Sequence, residues 1–257
     1  MCANMHMPHS YLLPLMIFLG YKSSQIIPIS NVTLLGVMRY NTKLVVDKGN
    51  MASPPNRKSS ITLYSRGTCA YSHRVRLVLS EKNIRAEVID VGDNNLPEDL
   101  LDLNPYNTLP TMVERDLVLY SSNIIMEYIE ERYPHPPLMP VDPITRARTR
   151  TYLYRIDNDW YSMLNDLQGD DAKKKDSARK LIRDGLTLIA PALVQKPFFM
   201  SNEISLADCS LLPLLWRLPL FGIELPAQAK PLLQYAERMF AREGFRASLS
   251  FAERSMR

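Results

Sequence analysis

The stretch that decides the fold is Asn107-Thr-Leu-Pro-Thr-Met-Val-Glu-Arg-Asp-Leu-Val-Leu-Tyr-Ser-Ser122. It contains two short runs rich in β-forming residues, Thr111–Glu114 and Leu117–Tyr120, with two polar residues between them. Two such runs with a short polar connection predict a β-hairpin. Pro110 directly precedes the first run, and Ser122 is a suitable N-cap for a helix that follows the second. The stretch therefore predicts a strand pair that leads into a helix.

The residues before this hairpin alternate between short strands and helices. The sequence predicts a strand at 61–65, a helix at 71–82, a second strand at 86–91 and a short helix near 97–103. The two strands are expected to be parallel because a helix connects them. The order β-α-β-α-β-β-α resembles that of the thioredoxin fold, and Pro110 stands where that fold keeps a cis proline.

The first predicted helix is expected to bury one face. Val75, Val78 and Leu79 share that face. The charged residues of the helix fall elsewhere: Arg74, Arg76, Glu81 and Lys82. His73 has no acid or second ligand at helical spacing, so we expect a surface or interface histidine rather than a base or a metal ligand.

Beyond Pro134 the strand signal ends and the pattern predicts helices only. They are expected at about 143–167, 172–190, 205–221 and 229–243. Ser205 and Asp208 have the spacing of a capping box at the start of the third of these helices. That helix is apolar nearly all round, which predicts a central buried position, and Pro213 within it predicts a kink.

These patterns predict an α/β domain followed by an all-helical domain. The expected boundaries are a thioredoxin-like domain at 58–137, a linker at 138–146, a helical bundle at 147–250 and a tail at 251–257. Residues 1–57 are expected to be disordered or an over-extended reading frame, with translation starting at Met51. The apolar run 11–19 is shorter than the roughly 20 residues of a membrane span, and no Lys or Arg precedes it, so we expect no membrane association.

The composition is that of an ordinary globular protein. The chain has 257 residues, of which 46% are hydrophobic, and a formal net charge of +4. Because no long basic run is present, contact with DNA is expected to be only indirect. The three cysteines, Cys2, Cys69 and Cys209, are far apart and lack metal-ligand spacing, which argues against a disulfide framework or a zinc site. We therefore expect a cytoplasmic protein with no metal and no cofactor.

The combined pattern resembles the glutathione transferase superfamily over about residues 58–250. The resemblance is carried by Tyr71–Arg76, the Asn107–Pro110 loop, Ser122 at a helix start and the Ser205/Asp208 cap. It implies a glutathione-transferase-like fold, with an N-terminal thioredoxin-like domain and a C-terminal helical bundle domain.

A narrower resemblance lies at the expected domain junction. The segment Tyr128-Ile-Glu-Glu-Arg-Tyr-Pro-His-Pro-Pro-Leu-Met-Pro140 is similar to the signature of the stringent starvation protein A family, as are Arg155–Tyr161 and Leu214–Pro219. The resemblance implies a dimeric regulator of the stress or starvation response that binds RNA polymerase holoenzyme and has no appreciable transferase activity. By the same resemblance, the polymerase-facing patch is Pro134, His135 and Pro136. Asp142 departs from the tyrosine that some relatives carry there.

The proline-rich segment has two physical interpretations. Its prolines fix φ and remove backbone donors, which is typical of a stiff linker between domains. A rigid loop also loses little entropy when it docks on a partner, so we favour partner contact. The resemblance further implies a homodimer that places Tyr152–Trp160 against the thioredoxin-like domain of the second chain. A heterodimer with a paralogue would give the same sequence pattern.

The alternative function is a glutathione-dependent transferase or thiol transferase. Cys69 at a helix start is suited to act as its nucleophile, since free amides and the helix dipole favour a thiolate. The expected groove for glutathione or another ligand is lined by Cys69, Leu109, Pro110, Ser121 and Ser122. Against catalysis, Ala70 replaces the proline that follows such a cysteine, and Ser121 replaces the Glu, Gln or Asp that transferases carry. We therefore favour an inert Cys69. The basic residues Lys173–Lys175 are expected to form a solvated face, with a phosphate-bearing partner as the minority interpretation.

Overall fold

The computed structural model describes residues 61–92 and 97–257. The expectations about residues 1–57, including a start at Met51, lie outside these ranges. Within them, no helix combines the length and the apolar character that crossing a membrane requires.

A four-stranded mixed sheet forms the first half of the described chain. Its strands are β1 (Ile61–Ser65), β2 (Ala86–Asp90), β3 (Thr111–Glu114) and β4 (Leu117–Tyr120). The order across the sheet is β2-β1-β3-β4. β1 pairs with β2 in parallel, whereas the β1/β3 and β3/β4 pairs are antiparallel. The predicted hairpin and the predicted thioredoxin-like order are therefore confirmed.

Three helices accompany this sheet: α1 (Ala70–Glu81), α2 (Glu98–Leu103) and α3 (Ser122–Arg132). Helices alone make up the second half: α4 (Pro143–Asp159), α5 (Leu164–Gln168), α6 (Ala172–Ile189), α7 (Leu206–Trp216), α8 (Lys230–Phe240), α9 (Glu243–Ser248) and α10 (Phe251–Arg254). Short 3-10 turns lie at Tyr161–Met163, Ala190–Val194 and Ala227–Ala229. The chain thus has the predicted class of an α/β unit followed by helices.

The first long helix of the second half begins at the predicted Pro143 but ends at Asp159, earlier than the sequence predicts. Pro143 occupies its first turn, and the Asp142 carboxylate accepts a hydrogen bond from the Thr145 amide at 2.8 Å. Asp142 is therefore a helix cap within the segment that was expected to be a linker. The helix ends before Trp160. The indole of Trp160 lies so close to Gly185 that an added Cβ would stand 2.8 Å from its Nε1 atom, so a glycine is needed on α6.

Asp208 organises the start of α7, as the capping-box spacing predicts. Its carboxylate accepts hydrogen bonds from the amide of Ser205 at 2.8 Å, the amide of Phe199 at 2.7 Å and the hydroxyl of Tyr235 at 2.7 Å. Burial raises the pKa of Asp208, and these hydrogen bonds oppose that effect. Cys209, which follows it, is fully buried and acts as a core side chain, as predicted.

Helix α1 is buried on more sides than its apolar pattern predicts. Residues 72–79 are all buried, because the helix packs against α3, α7 and α9 as well as the sheet. Arg74 and Arg76, which lie outside the predicted apolar face, are also buried and are only 1% and 8% exposed. Of the two positions expected for His73, surface or interface, the structure shows the second, with the ring fully buried.

A buried ion network fills the contact between α1 and the helical domain. Glu253, which is 0% exposed, accepts from Arg76 Nη2 at 2.5 Å and from Arg217 Nη2. The segment 251–257 was expected to be a tail, yet its helix α10 carries this central carboxylate. Arg217 Nη1 lies 3.0 Å from His73 Nδ1, and His73 Nε2 lies 3.0 Å from the Ser248 hydroxyl. Because a guanidinium can only donate, His73 Nδ1 accepts from Arg217, which holds the ring neutral although the Glu253 carboxylate lies 3.5 Å from the same nitrogen.

Burial and the two neighbouring arginines lower the pKa of His73 well below its ordinary value of 6.5. The unfolded chain therefore binds this proton first as the pH falls. We expect the free energy of unfolding of the wild type to fall by an additional ~1.4 kcal/mol per pH unit below about pH 6.5, compared with His73→Gln. Urea denaturation between pH 5 and pH 8 measures both slopes, and parallel curves would contradict the assignment.

Candidate functional site

Two surfaces contain most of the predicted ligand-binding and partner-binding residues. The first, which we call the N-terminal groove, has a volume of about 260 Å³. Its lining comprises Tyr71, Arg74, Thr108, Leu109, Ser121, Ser122 and Asp157. These residues come from α1, the loop before β3, the start of α3 and helix α4 of the helical domain. The groove therefore lies where the two halves of the chain meet.

The loop that forms one wall of the groove is shaped by Asn104. Its side-chain amide donates hydrogen bonds to the carbonyl of Thr108 and to the hydroxyl of Thr111, both at 2.9 Å. The Leu109–Pro110 peptide bond is cis, as the thioredoxin-like order predicts. Pro110 itself is buried beneath the wall, whereas Leu109 faces the groove.

The start of α3 differs from the predicted cap. Ser122 is the first residue of the helix, and Ser121 precedes it with a positive φ of 67°. The Ser122 hydroxyl accepts a hydrogen bond from Arg74 Nε at 2.7 Å, and no side-chain capping bond is made at Ser121. The Ser122 hydroxyl, which was expected to bind a ligand, is therefore already hydrogen-bonded to Arg74 of the same molecule.

Arg74 is held on every side. Its Nη1 atom lies 2.5 Å from Asp157 Oδ1, and its guanidinium carbon lies 5.1 Å and 4.6 Å from the ring centres of Tyr71 and Tyr161. The Asn123 side chain also donates to Asp157. Burial raises the pKa of Tyr71, while Arg74 opposes this rise. The arginine charge is thus compensated within the groove, which leaves it little attraction for an anionic ligand.

The expected groove residues are only partly brought together. Leu109, Ser121 and Ser122 line the groove, while Cys69 lies half-buried at the N-cap position of α1, outside that lining. Sequence reasoning missed Asp157, which lies 83 residues from Arg74 and carries no local motif. An acidic residue on one face of a predicted helix gives no signal of a buried partner in another domain.

The second surface is the segment Pro134–Pro140, which we call the proline loop. Residues 134–137 are exposed, and the His135–Pro136 peptide bond is cis. The loop borders a groove of about 380 Å³ between α3 and α4. This groove is lined by Glu127, Glu130, Glu131, Pro134, His135, Pro137, Met139, Val141, Arg146 and Arg150. The structure thus presents the expected partner-binding residues together at one surface.

A third cavity lies within the helical domain. It has a volume of about 490 Å³, and its lining includes Tyr152 of α4 and Trp160, which directly follows that helix. Helix α6 contributes Leu181 and Leu188. Leu181 and Leu188 are 54% and 79% exposed. We call this cavity the α4/α6 cleft. It coincides with the segment Tyr152–Trp160 that was expected to form a dimer interface.

Comparisons with known proteins agree with this architecture. The chain matches the family "Glutathione S-transferase, N-terminal domain" at residues 68–132 and the family "Glutathione S-transferase, C-terminal domain" at residues 145–243. It is 47% identical over 201 residues to the stringent starvation protein A homolog of Pasteurella multocida, covering 77% of this chain and 94% of the relative. The chain belongs to the stringent starvation protein A family.

A second member of the stringent starvation protein A family supports the assignment. The homolog of Coxiella burnetii is 43% identical over 202 residues, covering 78% of this chain and 97% of the relative. Among solved structures, the theta class glutathione S-transferase from Xanthomonas axonopodis pv. citri, with glutathione bound, superposes with a TM-score of 0.68. It covers 76% of this chain and 99% of that chain at 22% identity, which shows a shared fold alone.

A substitution tests whether the Arg74–Asp157 ion pair keeps anions out of the N-terminal groove. Asp157→Asn removes the carboxylate beside Arg74 while keeping its size, so the guanidinium becomes available to an anion at the start of α3. We expect this variant to bind glutathione at least about threefold more tightly than the wild type, measured by calorimetric titration. The control is Asp159→Asn, which alters an exposed carboxylate of the same helix, paired with Arg155 at 3.4 Å. Equal affinity in the Asp157→Asn variant and the wild type would show that Asp157 does not limit anion binding.

Proposed function

We propose that this chain is an RNA-polymerase-associated regulator of the stress or starvation response. It docks on polymerase holoenzyme through Pro134, His135 and Pro136. Kinship with stringent starvation protein A supports the class of function, and the exposed proline loop supports the surface. The loop is the observation that carries the proposal, because four consecutive residues, 134–137, are exposed above a buried base at Leu138 and Met139.

The groove beside the proline loop suits a protein partner. Val141 on its rim is 87% exposed, and Met139 lies in its lining. Arg150 Nε pairs with Glu127 at 3.1 Å and Glu130 pairs with Lys82, so two of the three glutamates in the lining are ion-paired. Apolar contact area that is already ordered loses little entropy on association. Contact with DNA is then indirect, through polymerase, and the protein acts in the cytoplasm without a cofactor.

The proposed assembly is a homodimer. The α4/α6 cleft supports it, since Leu181 and Leu188 expose apolar area beside Tyr152 and Trp160. Apolar area of this kind marks interaction sites on soluble proteins. A paralogue with a matching surface is the alternative occupant of the cleft.

The second candidate function is a glutathione-dependent thiol transferase with Cys69 as its nucleophile. The half-buried position of Cys69 at the N-cap of α1 favours this function. The ion pair between Arg74 and Asp157 argues against a thiol transferase, because each charge is already paired and the groove lacks a free charge that would attract glutathione. Tight glutathione binding by the wild type in the titration above would favour this second function.

Polymerase capture tests the proposed surface. We expect immobilised wild-type protein to retain RNA polymerase holoenzyme, and Pro134→Ala/His135→Ala/Pro136→Ala to retain at least about tenfold less, since the altered residues form the centre of the contact. The quantity to measure is the dissociation constant at fixed salt concentration.

The matched control changes three residues of another exposed surface, Lys173→Ala/Lys174→Ala/Lys175→Ala. It is expected to bind polymerase like the wild type. Loss of binding in this control alone would indicate that polymerase contacts the basic face of α6 instead of the proline loop. No binding by the wild type would overturn the proposed partner.

The molar mass measured by sedimentation tests the proposed dimer. We expect the wild type to have the mass of a dimer, and Leu188→Glu to shift it towards the monomer because a charge in the α4/α6 cleft is costly to bury. Leu220→Glu is the control, since Leu220 is 57% exposed and lies outside the cleft. A wild-type monomer at micromolar concentration would contradict the dimer.

A further inference from the structure

A buried ion pair lies directly beneath the proline loop. Lys82 Nζ is 2.6 Å from Glu130 Oε2, and the two side chains are only 0% and 8% exposed. Lys82 is the C-cap residue of α1, whereas Glu130 belongs to the last turns of α3. Burying two charges is costly unless their remaining hydrogen-bonding groups are also satisfied.

Both members of the pair satisfy these groups on the backbone around the proline loop. Lys82 Nζ donates to the carbonyls of Tyr133 and Pro136, each at 2.7 Å. The Glu130 carboxylate accepts from the amide of Leu138 at 3.1 Å and from the amide of Met139 at 3.0 Å. These contacts reach Tyr133 before the exposed residues, Pro136 among them, and Leu138 and Met139 after them. The pair therefore holds the backbone of the segment that carries the candidate contact surface.

The proline loop has few means of holding its own shape. Four of its seven residues are prolines, which have no backbone N–H. Across residues 61–92 and 97–257, its one backbone-to-backbone hydrogen bond runs from the Leu206 amide to the Leu138 carbonyl at 2.8 Å. Because proline fixes φ but leaves ψ free, side chains supply the other hydrogen bonds that hold this backbone. Most of them come from Lys82 and Glu130, and Arg146 Nε adds one to the Pro140 carbonyl at 2.9 Å.

We infer that Lys82 and Glu130 are a positioning pair that fixes the proline loop in the shape that a partner recognises. The effect on the loop follows from the contacts above and does not depend on which partner binds. The effect on polymerase affinity rests on the proposed function. A loop that is fixed before docking avoids the entropy cost of being ordered by the partner.

Two measurements on three variants test this inference. The variants are Lys82→Met, Glu130→Gln and the double variant, which leaves no unpaired charge in the protein interior. The measurements are hydrogen exchange at the Leu138 and Met139 amides and the dissociation constant for polymerase. We expect exchange at these two amides to become about tenfold faster or more, and polymerase binding about tenfold weaker, because charge-assisted hydrogen bonds are lost.

A neighbouring ion pair supplies the matched control. Glu81 precedes Lys82 in the chain and binds Arg242 Nη2 at 2.7 Å, so Glu81→Gln breaks a largely buried pair that does not contact the proline loop. This control is expected to lower the free energy of unfolding while leaving exchange at Leu138 and Met139 and the polymerase affinity unchanged. Equal effects of Glu81→Gln on both measurements would mean that general destabilisation is responsible and would overturn the inference.

The other possible results of these measurements also test the inference. Unchanged exchange at the two amides in the double variant would overturn the positioning role. Faster exchange with unchanged polymerase affinity would overturn its importance for docking. If the wild type binds no polymerase, the proposed function fails, and exchange at Leu138 and Met139 alone decides whether Lys82 and Glu130 position the loop.

Discussion

The ion network around Glu253 is the interaction on which the rest of the structure depends. Its carboxylate is fully buried, pairs with Arg76 of α1 and Arg217 after α7, and also accepts a hydrogen bond from the Ser250 amide at 2.9 Å. A buried charge that loses one partner costs several kcal/mol, typically about 3–5. The thioredoxin-like domain, the helical domain and α10 therefore have to meet in one relative position. Apolar surfaces of the same size could slide past each other, whereas the ion pairs of Glu253 form in only one relative position of the helices.

Helix α1 carries that constraint to both candidate surfaces. Arg76 anchors it to Glu253, Arg74 extends into the N-terminal groove, and Lys82 at its C-terminal end reaches the proline loop. Arg74 and Arg76 belong to one helix of 12 residues, and Lys82 is the residue that caps its C-terminal end. The charged residues of α1, which a pattern of apolar periodicity treats as the solvent side, are thus the residues that connect the domains to the surfaces.

The two surfaces differ in how many polar groups remain available to bind a ligand. In the N-terminal groove, Arg74, Asp157 and the Ser122 hydroxyl satisfy one another, so the groove offers few unused groups. At the proline loop, the polar groups of the backbone are satisfied from beneath, and the side chains of residues 134–137 face outward. The same fold therefore has a groove between its two halves whose polar groups satisfy one another and an ordered, outward-facing loop at the domain junction. This contrast favours a binding protein over a transferase.

The sequence by itself determined the features that rest on neighbouring residues. The strand and helix order, the position of Pro110, the Asp208 cap and the exposed proline segment follow from periodicity, turn chemistry and caps, which act over a few residues. The tertiary structure alone decided which charges are paired. Glu253 lies 177 residues from Arg76, and Asp157 lies 83 residues from Arg74, so no local pattern marks either carboxylate as a partner. Their roles arise only when folding removes water from both members of a pair, which makes the ion pair a condition for burying the charges at all.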